Sequence, residues 1–176
     1  MRESREELMR VMAEKYAYFL QTLRFDDEVY MGGMREARSK FLANLQIYIM
    51  NKQLPKKRKD WRYSSDYVSE RALECLMKGK WDSKELQYDH MIPKSKYIKD
   101  VCEEAAMNGT ATFDFIYEVL VKYFWVATIH KDENDHLTKL GLKSKMPSDW
   151  DGNDIFARYE SAGIVLLEND RINMYN

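Results

Sequence analysis

The chain has 176 residues, 45% of them hydrophobic and 32% charged, with a formal net charge of -1. That length and balance fit one folded domain, or a domain with an appendage, and exclude wholesale disorder. The near-neutral charge excludes a generally basic surface, so any polyanion partner has to be met by a local patch.

No run of about 18 apolar residues occurs, so no membrane span is expected. The charged start, MRESREELMRVMAEK, lacks the apolar stretch of a signal peptide. Cys75 and Cys102 are far apart and form no C-x-x-C pair, which suits reduced structural thiols and a cytoplasmic setting.

In chain order, SREELMRVMAEKYAYFLQTL places Leu8, Val11, Met12, Tyr16, Phe19, Leu20 and Leu23 at helical spacing, and Ser4 with Glu7 makes an S-x-x-E capping box. Gly32 and Gly33 punctuate the chain after FDDEVYM. A second helix follows, with Ala37, Phe41, Leu45, Tyr48 and Ile49 on one side, and ends before Pro55. Met and aromatic residues dominate these stripes and read as core. LPKKRKDWRY is the one concentrated basic run. Its Lys56, Lys57, Arg58, Lys59 and Arg62, with Trp61 and Tyr63 interleaved, suit a solvated loop or a loop that contacts phosphates and stacks on bases.

SSDYVSERALECLMKGKW reads as a third helix, with Val68, Ala72, Cys75 and Leu76 inward and Gly79 as its stop. KELQYDHMIP reads as a short strand ended by Pro93. YIKDVCEEAAMN and TFDFIYEVLVKY are two helices separated by Gly109, the second capped by Thr112. YFWVATI, β-branched and aromatic, is a second strand, and HKDENDHLTKLGL a helix with acids in its first turn. A short helix near DIFARYESAG and a strand-like GIVLLE complete the chain.

Two stretches carry chemistry. YDHMIPKS sets Asp89 beside His90 at a strand end, and IHKDENDHL holds His130 and His136, the other two of three histidines. Phosphodiester cleavage needs a water stripped of its proton and positive charge on the phosphate oxygens. A histidine near its ordinary pKa suits the first task. A hard divalent ion suits the second, and it takes oxygen ligands such as the carboxylate of Asp89 and the amide of Asn134. Neighbours on a strand face opposite sides, so Asp89 and His90 can share a site only where the strand twists into a loop, as Pro93 suggests.

YDHMIPKS resembles the first signature of the HNH endonucleases, the ββα-metal nucleases, usually [DE]-H-[IV]-[IV]-P. IHKDENDHL resembles their helical signature, with Ile129, Lys131, Asp132, Glu133 and Leu137 in register and Asn134 at the third family position. The resemblance covers residues 73–142. It implies a ββα-metal core with inserted helices at residues 73–142, within a chain that reads as α+β with residues 1–72 as a helical N-terminal region outside the resemblance and 143–176 as a short α/β tail. It implies metal-dependent hydrolysis of DNA, with RNA left open, yielding a 5'-phosphate and a 3'-hydroxyl. His90 would be the base, and Asp89 and Asn134 would hold one Mg2+ or Mn2+.

The sequence departs from the family at its middle Asn, which should fall near Phe124. That leaves the backbone or His130 to orient His90. His136 is the alternative ligand to Asn134 if the helix starts later. Asp132, Glu133 and Asp135 also suit a helix N-terminus without any ligand role. Lys94 and Lys96 follow the first signature and suit phosphate contact or a solvated loop. A homodimer through the N-terminal helices would allow cutting of both strands. The competing expectation is a non-catalytic interaction protein on the same fold, a phage or defence-system inhibitor or a nucleic-acid-binding adaptor, motivated by the missing Asn and the near-neutral charge.

Overall fold

The computed structural model describes residues 4–53, 60–80 and 84–170. In chain order these form α1 (Arg5–Thr22), α2 (Glu28–Gly33), α3 (Arg35–Gln53), a 3-10 turn (Trp61–Ser64), β1 (Tyr67–Ser69), α4 (Glu70–Met77) and β2 (Leu86–His90). A π-type turn (Ser95–Lys99) then leads into α5 (Asp100–Met107), followed by α6 (Phe113–Tyr123), β3 (Val126–His130), α7 (Lys131–Lys139), α8 (Ala157–Ser161) and β4 (Leu166–Glu168). The protein is α+β. No helix among the described residues is long and apolar enough to cross a membrane.

The chain divides into two compact units, residues 1–53 with 94–124, and residues 54–93 with 125–176. These limits cut across the divisions expected at 72/73 and 142/143. The helical excursion between β2 and β3 groups with the N-terminal helices, because its apolar stripes and theirs make one core.

In the helical unit, α1 begins as its sequence dictates. Ser4 Oγ accepts from Glu7 N at 3.1 Å, and the Glu7 carboxylate accepts from Ser4 N at 3.3 Å. Met9, Met12, Tyr16 and Leu20 of α1, Ile98, Cys102 of α5 and Ile116 and Leu120 of α6 are buried in this unit. The stripe of α3 is rotated from the expected one: Leu42, Gln46 and Met50 are buried, whereas Tyr48 is exposed. Apolar residues occupy more than one side of this helix, so spacing alone does not choose the face. Phe41 stacks on Phe19 with ring centroids 4.4 Å apart. Gly32 and Gly33 close the short helix α2, whose N-cap is Asp27.

The second unit is built on a four-stranded sheet of order β2-β3-β1-β4. β2 and β3 are antiparallel, with Leu86 opposite His130, Asp89 opposite Ala127 and His90 opposite Val126. β3 and β1 are parallel, and β1 and β4 antiparallel. Opposed residues share a face. One face carries Val68 and Leu86 and packs under α4 with Tyr63, Ala72 and Leu76. The other carries Ala127 and Ile129 and packs with Met91, Leu137 of α7, Tyr159 of α8 and Ile164. Covered on both faces, β3 is buried from Val126 to Ile129, which is why it reads as an unbroken apolar run.

The expected third helix is corrected here. Tyr67–Ser69 is strand, and α4 starts only at Glu70, with Ser69 Oγ accepting from Ala72 N at 3.1 Å. Three residues are too few to show an alternation of their own. Pairing with β3 and β4, distant in sequence, decides their conformation.

Candidate functional site

The site is built on β2, β3 and α7 of the sheet unit. Leu137 of α7 packs against Ala127 and Ile129, and Asp89 lies opposite Ala127, so Asp89 and α7 occupy the same face. Lys131 N donates to Glu85 O at 2.9 Å, which starts α7 beside the beginning of β2. From there α7 packs over the sheet, Leu137 lying in one cluster with Met91, Ala127 and Ile129. Asn134 shares the sheet-facing stripe of Leu137. It is half-buried, whereas Asp135 and His136 are exposed, and it stands about 4.5 Å nearer the helix start than Leu137. Among the described residues its side chain has no hydrogen-bond partner; its backbone carbonyl accepts from Thr138 Oγ1.

Asp89 is held by two residues of α8. Arg158 Nη2 donates to Asp89 Oδ2 at 2.5 Å, and the Tyr159 hydroxyl donates to the same oxygen at 2.7 Å. The backbone N–H of His90 also donates to this carboxylate. Arg158 Nη2 also reaches the carbonyl of His90 at 2.8 Å, and Nε that of Met91 at 3.0 Å. Nη1 spans the carbonyls of Leu142 and Lys143, just past α7, at 2.8 and 2.7 Å. The Arg158 side chain is 1% exposed and that of Asp89 20%.

Burial pushes the Asp89 carboxyl above its ordinary range, against the opposing pull of the Arg158 charge and the Tyr159 hydroxyl. For Arg158, burial works against the charge, but Asp89 and Tyr159 outweigh it and its pKa rises. Burial and the charge of Asp89 raise Tyr159 well above the phenol range, so it stays an O–H donor.

His90 ends β2 on the side opposite Asp89, edge-on to Tyr88 with ring centroids 5.9 Å apart. Met91 returns to the face of Asp89, and Met91 N bonds Trp125 O at 2.9 Å. Regular alternation therefore continues past His90. The expected twist that would bring the two side chains to one face is absent. β2 is an edge strand of the sheet, with Asp89 and His90 on its two faces.

The other expected residues are placed differently. His130 lies opposite Leu86, four strand positions and about 13 Å from the level of His90, so it does not orient that ring. It is the N-cap of α7: Nδ1 accepts from Asp132 N at 3.2 Å, and Glu133 Oε2 accepts from His130 N at 2.7 Å. His136 is exposed on the outer side of α7. Phe124, where the family's Asn was expected, is 1% exposed and ends α6 in the helical unit.

Of the basic run, Lys56, Lys57, Arg58 and Lys59 lie outside the described residues. Arg62 is corrected from a phosphate contact to a buried ion pair, its Nε and Nη2 donating to Asp60 at 2.7 and 2.5 Å. Trp61 packs edge-on against Tyr88 at 5.4 Å, and Tyr63 is 1% exposed, so these rings are not offered to a base. Lys94 and Lys96 belong to the helical unit. Lys94 Nζ donates to Ser39 O, and burial draws its pKa down to about 8. Lys96 is exposed, its Nζ 5.2 Å from the Tyr97 ring centroid.

Arg158 and Tyr159 were missed from sequence. The one signal was FARY, a cation between apolar residues of a helix that had to bury its apolar side, which requires a carboxylate partner.

The Asp89 carboxylate and the Asn134 amide, on the face that α7 covers, are oxygen donors of the kind a hard divalent ion takes, with water and phosphate to complete the shell. No cluster of three His, Cys, Asp or Glu side chains suited to a metal occurs among the described residues. An ion here rests on the mixed Asp–Asn pair. No family model matches the chain, and neither the curated proteins nor the solved structures contain a match.

Proposed function

We propose that the sheet unit is a metal-dependent endonuclease centre of the ββα (HNH) type, hydrolysing phosphodiester bonds of DNA. The observation that carries this reading is the order antiparallel β2–β3 then α7, with Asp89 and Asn134 on the face that α7 covers and His90 at the edge-strand end.

In this reading the phosphate lies along the outer edge of β2. His90 accepts the proton of the attacking water, a task for an imidazole near neutral pH. Asp89, through Oδ1, and Asn134, through its amide oxygen, would hold one Mg2+ or Mn2+. The bound ion would supply positive charge to the phosphate oxygens as they become more negative. Asp89 enters this arrangement already turned by α8, so little side-chain freedom is lost on binding. The basic run at residues 56–59 is the candidate backbone contact, and a pair of copies would cut both strands.

A second reading has its own support. Asp89 already faces a guanidinium, so its charge has a partner within the protein. In that reading the unit is a non-catalytic adaptor or inhibitor on the same framework.

Plasmid nicking with Mg2+, Mn2+ or EDTA separates the two. The nuclease reading expects metal-dependent nicking that His90→Ala lowers by about 10²- to 10⁴-fold, the usual worth of a general base. Wild-type protein that binds DNA yet cuts it under neither metal would leave the adaptor.

A further inference from the structure

We infer that Arg158 and Tyr159 are positioning residues of this centre, fixing which oxygen of Asp89 is offered to a divalent cation. The inference rests on the nuclease reading. Three features of the geometry support it.

Both α8 donors converge on one carboxylate oxygen, Oδ2, at 2.5 and 2.7 Å, which with the backbone N–H of His90 sets the plane of the carboxyl group and leaves Oδ1 without a side-chain donor. A carboxylate that ligates a metal needs such an outer partner, since a freely rotating one loses affinity. The same guanidinium also binds the carbonyls of His90 and Met91, which pins the peptide groups that follow Asp89 and carry the base. Finally, Nη1 holds the carbonyls of Leu142 and Lys143, so a single side chain ties the end of β2 to the chain leaving α7. Arg158 is thus one link between Asp89 and the chain leaving the helix that bears Asn134, beside the Lys131–Glu85 backbone bond and the packing of Leu137. For packing alone, an apolar residue of similar volume would serve as well. The convergence of all three guanidinium nitrogens on β2 and the exit of α7 is what a positioning role requires.

The test is Mn2+ affinity of the full-length protein, read by the electron paramagnetic resonance of free Mn2+, beside the Mg2+ concentration that half-saturates nicking. Variants are Tyr159→Phe, Arg158→Lys, Asp89→Asn and the two doubles with Asp89→Asn. Tyr159→Phe keeps the buried ring and removes one donor to Oδ2, so it remains informative even if Arg158→Lys fails to fold.

Each single α8 substitution is expected to weaken Mn2+ binding by about 10- to 100-fold, the range for outer partners of metal ligands. The half-saturating Mg2+ concentration should rise with it, and nicking at saturating Mg2+ should fall less. In the doubles the α8 change should add nothing to the loss from Asp89→Asn, because its effect runs through that carboxylate. Folded Tyr159→Phe or Arg158→Lys protein with wild-type Mn2+ affinity overturns the inference and leaves the nuclease reading standing. So do losses that add in the doubles, which would mark a purely structural role. Wild-type protein that binds no Mn2+ overturns both.

Discussion

Each unit buries an arginine against a carboxylate far away in sequence, and these two pairs are built differently. In the helical unit Arg38 meets Glu103 as a two-pronged fork, Nε to Oε1 at 2.9 Å and Nη2 to Oε2 at 2.6 Å. Lys99 stands 4.0 Å from the same carboxylate. Both oxygens of Glu103 are thus occupied, and nothing is left for a ligand. In the sheet unit Arg158 takes one oxygen of Asp89 and spends its other donors on backbone carbonyls. The first geometry saturates a charge that folding has buried. The second engages one oxygen of Asp89 and ties that charge to the backbone of β2 and of the chain leaving α7.

The largest expected effect comes from breaking the second pair. Arg158→Met leaves Asp89 buried with no other cation at ion-pair distance among the described residues. Removing one partner of a buried pair costs about 3–5 kcal/mol. All four tryptophans fall within the sheet unit's share of the chain, so urea unfolding followed by tryptophan fluorescence reads this unit and should show the loss. The pH dependence has a definite sign. The folded Asp89 carboxyl is already raised above its unfolded value by burial, and loss of the guanidinium raises it further. A raised carboxyl favours the fold fully below its unfolded pKa, near 3.9, and that support is lost as pH climbs through the folded value. The deficit of Arg158→Met should therefore shrink toward low pH and widen toward neutrality. A deficit independent of pH would mean that Arg158 acts by packing alone.

The matching change in the helical unit, Arg38→Met, should cost less, about 1–3 kcal/mol. The Arg38 side chain is 22% exposed, so water screens part of the loss, and Lys99 can move onto Glu103. Urea unfolding followed by far-ultraviolet circular dichroism measures it. A cost equal to that of Arg158→Met would remove the distinction between a replaceable pair and an irreplaceable one.

Sequence reading was most successful where a local rule decides the outcome. Ser4 with Glu7, Thr112, and the apolar spacing of α1 and α6 are complete within a few residues, and each helix starts where those signals place it. It was weaker wherever distant partners decide. β1 is strand because β3 and β4 flank it, and the buried face of α3 follows from what the helix packs against. At the candidate site the Asp–His dipeptide and the Asn-bearing helix were legible as motifs. The α8 clamp was not, because residues 89 and 158 are joined only by folding.

The smallest effect separates the ways the two units fasten their helix ends. Ser4 and Glu7 close a cap within α1, at the surface, and depend on nothing else. Ser69 is buried; its Oγ accepts from Ala72 N to cap α4 and donates to Glu133 Oε2 at 2.6 Å. Glu133 in turn accepts from His130 N, so one carboxylate serves the starts of both α4 and α7. Ser4→Ala removes a cap from an exposed site and should cost about 0.5–1 kcal/mol. Ser69→Ala removes a cap and also strips a hydrogen bond from a half-buried carboxylate, and should cost about 1–2 kcal/mol. Amide hydrogen exchange distinguishes them better than melting does: Ser4→Ala should free amides in the first turn of α1 alone, while Ser69→Ala should loosen α4 and α7 together. If exchange in α7 is unchanged by Ser69→Ala, the two helices are capped separately, and the face that carries Asn134 owes nothing to the strand beside it.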